Sequence, residues 1–313
     1  MSTAQPRTGQ PLILQARLFF ALSRTPHGII DLATPVLAAM VCLGGFPPAR
    51  ILWLGILTAF AGYTSVYALN DLVDYRTDRK RFEKNLLSGG PEDLDSIFLR
   101  HPIASGDLSP GKALVWTILW GLAALAGALL LNPLCVVIFV AACLLETVYC
   151  LAWQRSCLKV LVSGAVKTAG PVAAVYAVNP GPSYHFLVLL FFWLFFWEVG
   201  GQNVPNDWAD IEEDREVHAS TFPVLYGSAF TANVILISLS LTVCLGVMTV
   251  IYSPLPHALA SAAASVTAGI WFLLLPAFRL YVRRDRDAAL ELFNRSSYYP
   301  AAMLVIVILG SLI

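Results

Sequence analysis

Two nine-residue stretches carry the chemistry of this chain. One is Asn70-Asp71-Leu72-Val73-Asp74-Tyr75-Arg76-Thr77-Asp78. The other is Asn206-Asp207-Trp208-Ala209-Asp210-Ile211-Glu212-Glu213-Asp214. Both read N-D-x-x-D-x-x-x-D, and each closes a long apolar run. On a helix, steps of three and four residues put all three carboxylates on one face. Six aspartates meeting in one cavity repel one another and need cations beside them. Hard oxygen ligands suit Mg²⁺, which is typically held by one or two carboxylates together with substrate phosphates. The expected metal ligands are Asp71, Asp74, Asp78, Asp207, Asp210 and Asp214. Asn70, Arg79, Arg100, Arg155, Lys159 and Arg215 are expected to bind the remaining phosphate oxygens. Lys80 and Arg81 add charge nearby.

Membrane helices around such a cavity would let the other half of the ligand be hydrocarbon. A diphosphate head on an apolar chain describes a polyprenyl diphosphate. Metal ions and basic side chains stabilise the charge on a departing diphosphate. The allylic carbon leaves as a cation, water has to be excluded, and an acceptor attacks carbon one. Asp71, Asp74, Asp207 and Asp210 are the expected catalytic carboxylates. No serine–histidine or cysteine–histidine pattern supplies a covalent nucleophile.

Elements of membrane length must position these groups. The 313 residues are 58% hydrophobic and only 13% charged, against about 25% charged in soluble domains. The expected fold is an all-α integral membrane protein, with about nine transmembrane helices bundled around a central cavity. The apolar runs fall near 18–45, 51–72, 111–131, 134–152, 158–178, 185–206, 228–251, 256–278 and 296–313. Pro26 and Pro35 break or kink the first. Residues 1–313 read as one domain, with a mostly polar stretch over 1–16 and cap loops over 79–110 and 208–227. No signal peptide is expected. The loops on one side hold nearly all the Lys and Arg, and the other side holds only Arg50. That asymmetry predicts a cytoplasmic N-terminus and puts both acidic motifs at the cytoplasmic face. The six cysteines lack C-x-x-C spacing and read as buried hydrophobes. No nucleic-acid partner is expected.

Four charged residues lie within the apolar runs: Asp31, Glu146, Lys167 and Glu198. Intramembrane charges point to function by default. Asp31 is positioned to orient an acceptor or to cap a helix break. Lys167 is expected to pair with a carboxylate across the bundle. Tyr149 can shield a carbocation through its π-face. His27 can line the cavity. Arg283, Arg284 and Arg286 form a headgroup anchor.

At these residues the chain resembles the UbiA superfamily of membrane prenyltransferases. Besides the paired motifs, His101-Pro102-Ile103-Ala104-Ser105-Gly106-Asp107-Leu108-Ser109 looks like the family's R-P-x-x-S-G-x-(I/L)-S segment. Ser220-Thr221-Phe222-Pro223-Val224 with Gly227 looks like its T-L-P-V…G segment. The resemblance implies a bundle opening laterally to lipid, with Mg²⁺-diphosphate held under cytoplasmic cap loops. It implies metal–diphosphate roles for Asn70, Asp71, Asp74, Asp78, Asp207, Asp210 and Asp214, and Tyr149 matches a position where the family often has tyrosine. The chain departs from the pattern in a longer loop after Asp78. It also has His101 where the family has arginine and His218 where it commonly has glycine. The expected activity is prenyl transfer to a 4-hydroxybenzoate-like or quinone-precursor-like acceptor. Alternatives are an isoprenyl-glycerol ether synthase, phosphoribosyl transfer to a polyprenyl phosphate, and a lipid-phosphate or ion transporter.

Overall fold

A computed structural model of the chain describes residues 12–83, 101–152 and 155–312. Among them every regular element is helical. The chain runs through α1 (Leu12–Leu22), α2 (Thr25–Asp31), α3 (Ala33–Leu43), α4 (Ala49–Glu83), α5 (Pro110–Leu131), α6 (Pro133–Ala152) and α7 (Lys159–Val178). Then come α8 (Tyr184–Trp197), a π-helical segment (Glu198–Asn203), α9 (Val204–Ala209), α10 (Ile211–Glu216) and α11 (Phe222–Ile251). α12 (Ala258–Gly269), α13 (Leu275–Arg283), α14 (Arg286–Ser297) and α15 (Tyr299–Leu312) complete it. Joined end to end where they continue one another, these helices form, among the described residues, nine stretches long and apolar enough to cross a membrane.

The first apolar run is broken where the sequence places Pro26. Arg24 turns left-handed with φ 42°, and the proline sits in the first turn of α2, where its missing N–H costs nothing. A second break at Leu32 separates α2 from α3. α4 is much longer than the apolar run inside it. Its 35 residues span about 52 Å, against a hydrocarbon core of roughly 30 Å. The extra turns carry Asp74 and Asp78 onward as one continuous helix. The seventh run bends at Gly227, whose φ of 75° only glycine adopts at no steric cost. The last run starts ten residues earlier than the apolar pattern suggests, at Arg286.

One large apolar core joins α3, α7, α8 and α11 to α15, centred on Trp193, Trp197, Leu239 and Tyr299. A smaller one holds the 101–109 segment down. Ile103 and Leu108 bury beside Leu22, Ala68 and Ala113, so this cap is docked on α1, α4 and α5. Residues 84–98 of the long loop lie outside the described residues.

Candidate active site

A cavity of about 380 Å³ runs through the bundle. Asn70, Asp71, Asp74 and Asp78 line it from α4, and Asp207, Asp210 and Asp214 line it from the opposite wall. The two motifs therefore face each other at one end of one cavity. The first keeps a single helical face. The second does not: Asp210, with φ −100° and ψ 15°, sits at the joint between α9 and α10. That joint bends the chain, so Asp207 and Asp214 reach the cavity from two short helices rather than one. The second motif therefore lacks the uniform helical face that its spacing predicts.

The carboxylates have specific neighbours. His101 Nδ1 lies 2.9 Å from Asp71 Oδ1 and 3.0 Å from Asp78 Oδ2. Burial works against the charged imidazole, but Asp78 and Asp71 outweigh it and hold its pKa up at about 9. Lys159 Nζ donates to Asp207 Oδ1 at 2.7 Å. Arg81 Nη2 donates to Glu213 Oε2 at 3.1 Å and lies 3.9 Å from Asp214 Oδ1, tying the end of α4 to α10. Burial and the adjacent Asp207 charge push the Asp214 carboxyl up to about 7, against the pull of Lys159 and Arg81.

The donor set fits a hard cation. Asp71, Asp78 and His101 offer ligand atoms within 4.8 Å of one another. Asp71 Oδ2, Asp207 Oδ2 and Asp214 Oδ2 are buried and have no hydrogen-bond partner among the described residues. Buried carboxylate oxygens left without partners are costly, and a divalent ion between the walls would satisfy them.

Several expected phosphate ligands lie elsewhere. Arg79 is exposed and bonded to Glu83, because one residue beyond Asp78 turns about 100° away from the cavity face. Arg215 is exposed beside Asp214 for the same reason. Arg155 is exposed in the turn between α6 and α7. Lys159 is fully buried and does not line the cavity; it is the counter-ion of Asp207 instead. Arg100 lies outside the described residues. Among the described residues, Arg81 and Arg24 line the cavity at this end, beside the His101 imidazole. Arg24 carried no motif signal; only the left-handed turn before α2 aims it inward, where its charge reaches Asp74 and Asp78.

Tyr149 lines the cavity, and its hydroxyl accepts from Asn203 Nδ2 at 3.1 Å. Asn70 Nδ2 donates to Glu146 Oε1 at 2.7 Å. Lys167 finds its cross-bundle carboxylate in Asp31, at 2.6 Å. The departure at His218, where glycine is common, falls on a left-handed position, φ 56°, that glycine adopts most easily.

Known proteins resemble this chain in sequence and in fold. The sequence model of the UbiA prenyltransferase family matches residues 32–298. A protoheme IX farnesyltransferase of Saccharophagus degradans is 24% identical over 299 residues, covering 94% of this chain and 91% of the relative. A Shewanella 4-hydroxybenzoate octaprenyltransferase is 26% identical over 227 residues, covering 70% and 71%. A UbiA homolog from Archaeoglobus fulgidus, bound to GPP and Mg²⁺, superposes with TM-score 0.67 at 16% identity, covering 93% of this chain and 99% of the other. A UbiA homolog from Aeropyrum pernix gives TM-score 0.71 at 18% identity, covering 91% and 98%. The match spans most of the chain, so this protein belongs to the UbiA prenyltransferase family and is a membrane enzyme that transfers prenyl groups.

Proposed function

We propose that the chain transfers a prenyl group from a polyprenyl diphosphate to a small aromatic acceptor, with Mg²⁺ and with release of diphosphate. The observation that carries this reading is the convergence of both acidic motifs on one cavity, with unpartnered oxygens on Asp71, Asp207 and Asp214. The named relatives that act on protoheme and 4-hydroxybenzoate support an aromatic acceptor. The excess of basic residues in the loops on the motif side supports a cytoplasmic active site.

Asp71, Asp74 and Asp78 would hold metal on one wall, and Asp207, Asp210 and Asp214 on the other. Bound Mg²⁺ supplies charge neutralisation on the departing diphosphate. Arg81 and Arg24 reach the same end and bind phosphate oxygens that the metal leaves free. Lys159 pairs with Asp207 and holds it in place. The Tyr149 ring lines the cavity beside the motifs and would stabilise positive charge at carbon one. The apolar walls exclude water from that carbon.

The test is metal-dependent diphosphate release by purified protein given a prenyl diphosphate and pooled aromatic acceptors. Asp71→Ala and Asp207→Ala are each expected to abolish release, as is chelation of the metal. Undiminished turnover in both variants would overturn the reading.

A further inference from the structure

The two walls of the site carry the same aspartate spacing but not the same donors. On the first wall His101 Nδ1 stands 2.9 Å from Asp71 Oδ1 and 3.0 Å from Asp78 Oδ2, and the three ligand atoms lie within 4.8 Å of one another. An octahedral shell of radius roughly 2.0–2.1 Å holds neighbouring ligands about 2.8–3.0 Å apart. The cluster therefore has the dimensions of a coordination shell. On the second wall Asp207, Asp210 and Asp214 gain no imidazole, since His218 is exposed and outside the cavity lining. His101 is held in place by its own segment. Its carbonyl accepts from the Ser105 N–H at 3.1 Å, and the Pro102 carbonyl accepts from the Leu108 N–H at 2.9 Å. Ile103 and Leu108 pin this turn to α1, α4 and α5, so the imidazole is presented by a docked element.

Asp71 gives an independent sign that a ligand belongs here. It is 5% exposed and lines the cavity, and its Oδ2 is buried without a hydrogen-bond partner among the described residues. His101 meets the other oxygen, Oδ1. A buried carboxylate oxygen left unmatched is costly, and an ion held by Asp71, Asp78 and His101 removes that cost. Arg24 and Arg81 also act on Asp78, but a guanidinium has no lone pair to give, whereas an imidazole has one. In the metal-free protein the imidazole keeps its proton between the two carboxylates. His101 gives up that proton when a divalent ion, with its larger charge, enters the same place.

We infer that His101 is a direct ligand of the ion on the first wall, and that this wall takes a divalent first-row transition ion, such as Mn²⁺, in preference to Mg²⁺. The inference rests on the prenyltransfer reading and deepens it, by naming one further ligand and the ion it selects. Mg²⁺ is a hard cation that takes oxygen ligands, while an imidazole nitrogen favours first-row transition ions. The second wall offers carboxylates without an imidazole and suits Mg²⁺. The site is thus asymmetric in chemistry although its two motifs match in sequence.

The test uses full-length protein in lipid nanodiscs, loaded with a non-reacting thio-analogue of geranylgeranyl diphosphate. Mn²⁺ is titrated in competition with Mg²⁺, and bound Mn²⁺ is read by electron spin-echo spectroscopy, which detects nitrogen bonded to the metal. Wild type is expected to show that nitrogen coupling. His101→Gln should abolish it and lower the preference for Mn²⁺ over Mg²⁺ by about tenfold or more, since even loss of an outer-shell partner costs that much. His27→Gln should leave coupling and preference unchanged, because His27 lies beside Asp31. Binding of the thio-analogue with Mg²⁺ shows that each variant folds. If His101→Gln does not fold, wild type carrying isotope-labelled histidine decides, and the coupling must change to that of the label. No nitrogen coupling in wild type, its persistence in His101→Gln, its loss in His27→Gln, or an unaltered preference in His101→Gln would overturn the inference. Failure of wild type to bind the thio-analogue with either ion would instead overturn the prenyltransfer reading.

Discussion

Replacing Lys159 with methionine should destabilise the metal-free protein more than the loss of any exposed cation at the site. Lys159 is 1% exposed, and its ammonium lies 2.7 Å from Asp207 Oδ1. At an effective dielectric of about 20, charges at that distance attract by roughly 6 kcal/mol before the cost of burying them. Removing only the lysine strands the Asp207 carboxylate, a loss on the order of 3–5 kcal/mol. For a chain of this size that lowers the melting temperature by about 5–8 °C. Removing both charges, in Lys159→Met with Asp207→Asn, should restore more than half of the loss, because two uncharged side chains leave nothing uncompensated. The assay is thermal melting followed by tryptophan fluorescence in detergent, with chelator present. Mg²⁺ plus a prenyl diphosphate should then raise the melting point of Lys159→Met more than that of the double variant, since only the former keeps the Asp207 carboxylate proposed to hold the metal. Melting of Lys159→Met within about 2 °C of wild type, or a double variant whose losses simply add, would refute the reasoning.

Other perturbations follow from the same geometry. The His101 pKa is raised from 6.5 to about 9 by the motif carboxylates, so its contribution to metal-free stability is fully present below 6.5 and lost as pH rises through about 9. Melting of metal-free wild type should fall over that window, and His101→Gln should flatten the fall. Arg81→Gln removes a cation that spans both motif arms, and should weaken prenyl diphosphate binding by about 10- to 100-fold without a comparable change in acceptor KM. A Cβ at Gly200 would sit 2.7 Å from the Ser238 Cβ, so Gly200→Val should cost about 1–3 kcal/mol by overpacking, read as a lower melting point and a displaced Glu198.

The reach of sequence reasoning varied from one element to the next. Nine apolar runs marked nine membrane-length helices, because the hydrocarbon core demands that length of any helix that crosses it. Their ends were less legible where polar residues continue a helix past the lipid. α4 extends to Glu83, and the last stretch begins at Arg286, since hydropathy is blind to helix outside the membrane. The proline-marked break before α2 was visible, whereas the π segment at Glu198–Asn203 was not. An inserted residue in a helix leaves no compositional trace. The glycine preference at position 218 was visible as a departure, and its reason is a left-handed backbone that histidine here adopts.

The aspartates of the first motif share one helical face, as their spacing predicts, whereas the joint at Asp210 breaks that face in the second. Which cations serve them could not be read from spacing. Arg79, Arg155 and Arg215 are near the motifs in sequence but face outward, while Arg24 and Arg81 are brought to the cavity. Charge partnership depends on which face of a helix meets which neighbour, and one residue of offset turns a side chain by about 100°. Lys159 was legible as a cation near the site, yet only packing decided that it would be sealed against Asp207. The unmatched oxygen of Asp71 is likewise a tertiary fact, because what a buried group lacks is set by everything packed around it.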